Sequence, residues 1–305
     1  MAVGGAAGAQ GLPDGLRVAS LRGVLRWWFR TASWRGDSKE LLSAEQRVFG
    51  GGEAGTVVPV WVTERKTSLR KALLRMNDPT PVLDRRGRPI IPSRSAYDAG
   101  AAWTLEWVWP ATVPAVSMEQ FRAALDLFLL LGGVGGRSRR GFGSLWDGDE
   151  RGFRDPIAGG SVADRGAWLE ARLAEALRRL GAPQGGSAGP PPRGMRVLRR
   201  GEVRVFLVES DSGPWASWNE AMDHLRDDFY RPLKQALGVT AIGSGDPREA
   251  SPLLVQIKPA EQGLVGLVVA FRWNGFASSH GPWGKLDRAH ASGFTGLRVE
   301  EVTVP

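Results

Sequence analysis

The sequence predicts an α+β fold built from two split β-α-β units in tandem, at residues 1–150 and 151–305. Three observations support this fold class. Each half has segments whose apolar residues recur at helical spacing, and others whose residues alternate as in a half-buried strand. A short turn at Glu261–Gly263 joins two strand-like segments, which is typical of a hairpin. With 305 residues, 42% of them hydrophobic, the chain can bury the cores of two domains.

Four segments are predicted to be helices. The first spans Ser20–Arg30, with Ser20 as its N-cap and an apolar stripe made of Leu21, Val24, Leu25, Trp28 and Phe29. The second follows the capping box Ser117-x-x-Gln120, and the third covers residues 164–180. The fourth follows the capping box Ser217-x-x-Glu220 and should kink or end at Pro232.

The alternating segments predict the strands that connect these helices. They are Thr56–Thr63, Ala102–Trp109, Gly143–Trp146, Glu202–Glu209, Leu253–Lys258 and Leu264–Trp273. Residues 1–19 show no convincing strand pattern. Residues 182–194 are rich in glycine and proline, and this composition predicts a disordered tether within the second unit.

The first helix carries a second stripe beside its apolar face, formed by Arg22, Arg26 and Arg30. At about 100° per residue, Gly23 lies nearly opposite the apolar stripe and Trp27 lies between Gly23 and the edge of that stripe. A glycine there would allow close approach to the helix backbone, with guanidinium groups on one side and an indole on the other. A half-buried helix with solvated arginines would give the same pattern.

A glycine-rich stretch, Gly132–Ser144, follows the second predicted helix and holds six glycines and three arginines. Glycines allow backbone N–H groups to converge on phosphate oxygens, and arginines add forked, charged donors. The stretch is not a Walker A loop, because it lacks Gly-Lys-Ser/Thr and follows a helix. A merely flexible loop is the alternative, although flexibility alone does not require the arginines. We expect the loop arginines to share one phosphate site with Arg26 and Arg30.

Charge and composition limit the classes of partner and site. The chain has 40 Lys and Arg against 32 Asp and Glu, a net charge of +8 and a pI of about 10.5. This excess indicates a polyanion or an acidic protein as partner, and residues 65–94 are an especially basic arm or a solvated excursion. The absence of cysteine excludes disulfides and cysteine-based metal sites. Without a signal pattern or an apolar run of ~18 residues, we expect a cytoplasmic protein.

Four stretches together carry a resemblance to a known family: Ser20–Arg30, Glu45-x-x-x-Phe49-Gly50, Gly132–Gly143 and Arg248-x-x-Ser251-Pro252-Leu253. The chain resembles the RAMP (repeat-associated mysterious protein) superfamily of CRISPR effectors, and especially the head RAMP subunit, numbered one, of the type III-B Cmr complex. The resemblance implies two ferredoxin-like (RRM-like) domains and RNA binding without cleavage. Family members usually begin with a strand and a glycine turn, which residues 1–19 do not show.

The resemblance implies a non-catalytic RNA-binding subunit in antiviral defence, which contacts guide or target RNA near the guide 3′ end. Its partners would be guide and target RNA, the backbone and small Cmr subunits, and a second head RAMP subunit, with no cofactor and no metal. The expected RNA-binding residues are Arg22, Gly23, Arg26, Trp27, Arg30, Gly135, Gly136, Arg137, Ser138, Arg139, Arg140 and Gly141. The arginines would contact phosphates and Trp27 would stack on a base.

Three other functions remain open at this point. The chain could be a neighbouring head RAMP subunit, or a scaffold whose basic surface meets acidic proteins. It could also be a guide-processing endoribonuclease, since related nucleases use His, Lys or Tyr as general acid and base. The histidines available are His224, His280 and His290. Metal-dependent cleavage is not expected, because carboxylates at metal-ligand spacing are missing from the sequence.

Overall fold

The computed structural model describes most of the chain, and within the strands between residues 60 and 97 and at 149 and 152–153 it describes the backbone alone. The described residues are 17–51, 60–66, 69–73, 82–83, 89–90, 93–97, 102–135, 143–149, 152–153, 155–183, 189–192, 195–238, 251–273, 276–281, 283–291 and 293–305. Among these residues, none of the helices is both long and apolar enough to cross a membrane.

Within its described residues, the first half contributes three helices: α1 (Val18–Ser33), α2 (Ser38–Phe49) and α3 (Ala115–Leu131). Two predicted caps are wrong. Helix α1 begins two residues before Ser20, because Val18 already packs against the core, and its N-cap Arg17 makes no side-chain cap. Helix α3 begins directly after Pro114, and Ser117 is buried within its first turn at 2% exposure. Burial, not capping, sets both helix starts.

The structure describes six strands between α2 and α3: β1 (Val60–Lys66), β2 (Leu69–Leu73), β3 (Val82–Leu83), β4 (Pro89–Ile90), β5 (Ser93–Tyr97) and β6 (Ala102–Trp107). Strand β1 pairs antiparallel with β6, so that Val60 lies opposite Trp107. The basic arm is therefore an insertion between paired strands, in which β2 pairs with β5 and β3 with β4. The expected strand at Gly143–Trp146 is wrong, since Ser144 makes only an isolated bridge to Gly133.

The two halves meet at a small hairpin and a long helix. Strands β7 (Gly148–Asp149) and β8 (Gly152–Phe153) pair with each other, and the predicted boundary at residue 150 lies outside the described residues. Helix α4 (Val162–Leu180) begins two residues earlier than predicted. A capping box that the sequence analysis missed explains this start, because Ser161 and Asp164 each accept a hydrogen bond from the other's backbone N–H.

The second half contains a four-stranded antiparallel sheet. The strands of this sheet and the helices that connect them are, in chain order, β9 (Val203–Ser210), α5 (Trp218–His224), a π-helical segment (Leu225–Tyr230), α6 (Arg231–Leu237), β10 (Leu253–Ala260), β11 (Gly263–Phe271), α7 (Gly284–Ala291) and β12 (Leu297–Val302). The strand order β10-β11-β9-β12 is that of a split β-α-β unit. Near Pro232, where the sequence predicts a kink or an end, the helix changes type, because the π-helical segment ends at Tyr230 and α6 begins at Arg231, directly before the proline.

Both faces of this sheet are buried, and different helices cover them. One face packs with α1, α3 and α4 through Val205, Leu207, Val265, Leu267 and Val269. The other face packs with α5, the π-helical segment, α6 and α7 through Phe206, Val208, Val255, Ile257 and Val268. Burial on both faces explains why all eight residues of β10 are buried, rather than every second one. The core of the first half therefore extends into the sheet of the second.

Candidate nucleic-acid interface

The polar side of α1 is the surface on which the sequence analysis places the first RNA-binding residues. The predicted stripe is largely buried, with exposures of 2% or less for Leu21, Leu25, Trp28 and Phe29. On the other side Gly23 and Arg30 are exposed, whereas Arg22, Arg26 and Trp27 are half-buried. A Cβ atom added at Gly23 would meet no atom within 4 Å, so the helix backbone is open to approach there.

Two arginines of α1 share one buried carboxylate. The Nε atom of Arg26 lies 3.6 Å from Oε1 of Glu45, and the Nε atom of Arg30 lies 3.4 Å from Oε2. The Glu45 side chain is only 6% exposed, whereas 48% of the Arg30 side chain is exposed. One negative charge faces two positive charges, so the cluster keeps an uncompensated positive charge at its solvent side.

Arg26 also contacts the C-terminal end of α2. Its guanidinium donates hydrogen bonds to the carbonyl oxygens of Phe49 and Gly50, and it lies 6.0 Å from the centroid of the Phe49 ring. Gly50 and Gly51 have φ values of 74° and 143°, which favour glycine. The stretch Glu45-x-x-x-Phe49-Gly50 therefore supports the arginine helix, and Arg26 anchors α1 to the end of α2.

Trp27 and Trp28 have different environments, as the helix phase predicts. Trp28 is 1% exposed, while Trp27 is half-buried and approaches two other rings edge-on. The ring centroid of Trp27 lies 4.8 Å from that of Trp28 and 5.8 Å from that of Phe271, at the end of β11. Trp27 thus lies where the arginine helix meets the sheet of the second half.

Arg22 and Arg26 are close enough to affect each other. Burial, and secondarily the charge of Arg26, lower the pKa of Arg22 from its ordinary value. The two guanidinium groups repel each other along one side of the helix, so an anion placed between them would be stabilised by both. This arrangement suits a phosphate group.

The base of the glycine-rich loop is described as far as Gly135 and again from Gly143. The predicted residues Gly136, Arg137, Ser138, Arg139, Arg140 and Gly141 lie outside the described residues. The two stems are joined, since the Val134 N–H donates to the Gly143 carbonyl at 2.8 Å. A Cβ atom at Gly132 would lie 2.6 Å from Nε1 of Trp28, so this stem rests directly on α1. The loop therefore leaves the core beside the arginine helix.

A buried lysine of the second half holds this loop base. The Nζ atom of Lys258, on β10, donates to the carbonyls of Leu129, Gly132 and Leu145 at 2.6, 3.0 and 2.9 Å. Nearby, the Ser144 hydroxyl donates to Oε1 of Gln256 at 2.7 Å. Because an ammonium has three protons, all three carbonyls are satisfied only when the lysine is charged.

Burial lowers the pKa of Lys258 from 10.5 to about 7, and a dependence of stability on pH follows. Between those pH values the unfolded chain binds the proton and the folded chain releases it. The free energy of unfolding should therefore rise with pH across the interval, by about 1.4 kcal/mol per pH unit. Urea unfolding of wild type and Lys258→Met across the interval measures this slope. The Lys258→Met variant should lack this rise of the unfolding free energy with pH. Equal slopes for the two proteins would contradict the lowered pKa of Lys258.

Three residues that matter at this site were missed by sequence reasoning, namely Glu45, Gln256 and Lys258. Glu45 stands in a quoted motif, but nothing local shows that its carboxylate faces the arginines of another helix. For Gln256 and Lys258 the sequence does contain a signal, because they are polar residues in a predicted strand that is otherwise mostly apolar. In a strand buried on both faces, such residues need polar partners.

The three histidines lie on separate elements. His224, on α5, holds Asp228 at 2.5 Å through Nδ1, and its ring stacks on that of Trp215 with a centroid separation of 6.0 Å. His280 is exposed, and its Nδ1 lies 3.2 Å from the Ser279 hydroxyl. His290, on α7, lies 5.7 Å from the Phe206 ring. Only His224 is oriented by a carboxylate in the described part of the chain.

Comparison with known proteins gives a family and a fold. The RAMP superfamily profile matches residues 11–146, a range that includes α1, α2, α3 and the glycine-rich loop. No curated relative matches the sequence. The crystal structure of Cmr1 from Pyrococcus furiosus in its apo form is similar, with 17% identity and a TM-score of 0.56 over 99% of this chain and 95% of that one.

Two cryo-EM structures of type III-B Cmr-beta bound to cognate target RNA also contain similar chains. In one, a chain shares 11% identity and a TM-score of 0.50, over 88% of this chain and 92% of that one. In the other, which also holds AMPPnP and was determined in the presence of ssDNA, the identity is 11% and the TM-score 0.52, over 92% and 94%. Residues 11–146 thus match the RAMP superfamily, and the fold of the chain is similar to that of Cmr1.

Proposed function

We propose that this protein is a non-catalytic RNA-binding subunit of a type III-B CRISPR effector complex. It would contact guide RNA, target RNA or both near the guide 3′ end, alongside the backbone and small subunits and a second head RAMP subunit. The observation that carries the proposal is the polar side of α1. There an exposed Gly23 leaves the backbone open between arginines that retain positive charge. The RAMP match and the likeness to chains of RNA-bound Cmr complexes support it.

We also propose that the first half is a second ferredoxin-like unit, with the boundary near residue 150. The order of described elements supports this, because α1 and α2 are followed by the antiparallel pair β1 and β6 and then by α3. A helix, a strand pair and a second helix are the central elements of a split β-α-β unit. The inserted strands β2–β5 would then be an excursion from the loop between the paired strands.

The RNA-binding proposal is tested at Gly23. Replacement by glutamate puts a negative charge on the open backbone and should lower affinity for single-stranded RNA at least tenfold, or about 1.4 kcal/mol. It should not unfold the helix, because glutamate has a better helix propensity than glycine. Gln235→Glu is the control, since it adds the same charge at an exposed position of α6. Fluorescence anisotropy with labelled oligouridine measures both, and equal affinities would contradict the proposal.

The endoribonuclease is the second candidate, and the His224–Asp228 pair favours it, because a carboxylate that orients an imidazole is a common element of general-base catalysis. Incubation of the same proteins with a repeat-containing transcript decides between the two. An uncut transcript that remains bound agrees with our proposal. Cleavage that disappears in His224→Ala would identify a nuclease instead.

A further inference from the structure

A cluster of arginines and indoles lies at the end of β11, on the part of the sheet that Trp27 adjoins. We call it the strand-end surface and define it by Arg200, Arg272, Trp273 and Trp283. Arg200 and Arg272 are exposed, and both indoles are half-buried. No function considered so far uses these residues.

The indoles are held in fixed positions around a fully buried ring. Phe276 is 0% exposed, and its ring lies 5.3 Å from that of Trp273, edge to face, and 5.7 Å from that of Trp283, stacked. The Trp283 Nε1–H donates to the Gly201 carbonyl at 3.2 Å. Both indoles therefore keep an outer part toward solvent without losing their packing. Fixed aromatic surfaces of this kind can stack nucleic-acid bases at low entropic cost.

The surface is positively charged, although acidic residues lie near it. Arg272 lies 3.0 Å from Glu202, and Arg204, whose guanidinium lies 5.7 Å from the Trp283 ring, pairs with both Glu301 and Asp287. Residues 195–200 pass beside them with three arginines and no acidic residue. The Arg272 side chain is 51% exposed, so its ion pair is a weak one that a phosphate could replace.

The strand-end surface continues from the arginine helix. The Trp27 ring lies 5.8 Å from that of Phe271, and Phe271 directly precedes Arg272. On the other side, the Leu198 N–H donates to the Thr31 carbonyl at 2.8 Å, which fastens residues 195–200 to the end of α1. Phe271 is buried, and Trp273 and Trp283 pack in the cluster on the other face of the sheet. The route from Trp27 to them therefore follows residues 195–200, where Arg196 donates to the Arg272 carbonyl at 3.0 Å.

From this geometry we infer that the strand-end surface is a second binding site for single-stranded RNA, continuous with the site on α1. Bases stack on the outer part of Trp273, beside Trp283, and phosphates lie against Arg200 and Arg272. An acidic protein segment would use the arginines but not the indole faces, so the indoles favour RNA. The inference rests on the proposed function, because the strand must first lie on α1.

The test compares short and long RNA on the full chain, using oligouridines of about 6 and about 20 nucleotides, which span the usual range of single-strand site sizes. The variant is Arg200→Ala/Arg272→Ala. It should bind the long RNA about tenfold more weakly and the short RNA as wild type does. Its salt slope with the long RNA should fall by about 1.4, for two lost phosphates. The control Arg122→Ala/Arg231→Ala removes two exposed, paired arginines from α3 and α6 and should change neither affinity.

Photo-crosslinking with 5-iodouridine in the long RNA supplies an independent readout. Peptides that contain Trp273 or Trp283 should be crosslinked in wild type. If Gly23→Glu weakens binding of both lengths but the double variant weakens neither, the inference is overturned and the proposed function stands. If wild type binds neither RNA, the proposed function fails as well. Displacement of the long RNA by polyglutamate, without crosslinks at either indole, would show an acidic-protein site and overturn the inference.

Discussion

Replacing Glu209 by leucine should destabilise the protein by about 3–5 kcal/mol, because it leaves a buried arginine without its charge partner. Arg165 and Glu209 are 3% and 0% exposed, and the Nε atom of Arg165 donates to Oε2 of Glu209 at 3.0 Å. The pair joins the first turn of α4 to β9. Arg165 also donates to the Gly159 carbonyl at 2.5 Å, a bond that cannot by itself compensate a buried positive charge.

Urea unfolding measures this loss, and the double variant Arg165→Met/Glu209→Leu is its control. Removing both charges should restore most of the stability, since well-packed apolar residues often replace buried ion pairs without cost. The Oε1 atom of Glu209 has no hydrogen-bond partner in the described part of the chain, so the native pair is itself incompletely satisfied. If the single variant loses less than about 1 kcal/mol, or the double variant loses more than the single one, the argument is wrong.

Replacing Trp28 by alanine should cost a similar amount, about 3–5 kcal/mol, because it opens a large cavity between α1 and the loop base. The Trp28 side chain is 1% exposed, and it contacts the Trp27 ring and the first glycine of the loop. Loss of the indole therefore removes packing from α1 and from the stem at Gly132 together. The expected result is a lower urea midpoint with an unchanged slope.

Trp27→Ala is the matched comparison, since the same residue type stands one position earlier on the same helix. Trp27 is half-buried, so its removal should destabilise the fold less than that of Trp28. RNA affinity should instead fall by about 1–3 kcal/mol, the usual contribution of a base stacked on an aromatic ring. If the two variants exchange these effects, the assignment of the two faces of α1 is wrong.

Much of the fold could be predicted from local sequence patterns. The stripe of α1 and the strands β9, β10 and β11 lie within a few residues of where periodicity places them. These elements bury apolar residues at regular spacing, so the spacing in the sequence indicates directly which residues are buried. Helix α7 and strand β12 were not found, because α7 has only eight residues and β12 is an edge strand with exposed positions.

The site was less predictable than the fold. Periodicity separates Trp27 from Trp28 and puts Arg22, Gly23 and Arg26 on one side of α1, as the structure does. It cannot show that Glu45 pairs with two of the arginines, because that contact joins different helices. The hydrogen bonds from Lys258 to the loop base are even harder to predict from the sequence, since their acceptors lie more than one hundred residues earlier in the chain.

Because helices cover both faces of the central sheet, the protein can complete its fold only late in its synthesis. A nascent chain folds from its N-terminus, yet the stripes of α1, α3 and α4 face strands that begin only at Val203. Until those strands emerge, these helices have one another and the β1–β6 pair to cover their apolar surfaces. Strand β12 pairs with β9 and packs against α4, so the sheet and its helical layer are complete only after Leu297–Val302 has been synthesised. Helix α1 thus reaches its final setting only after Leu297–Val302 has left the ribosome.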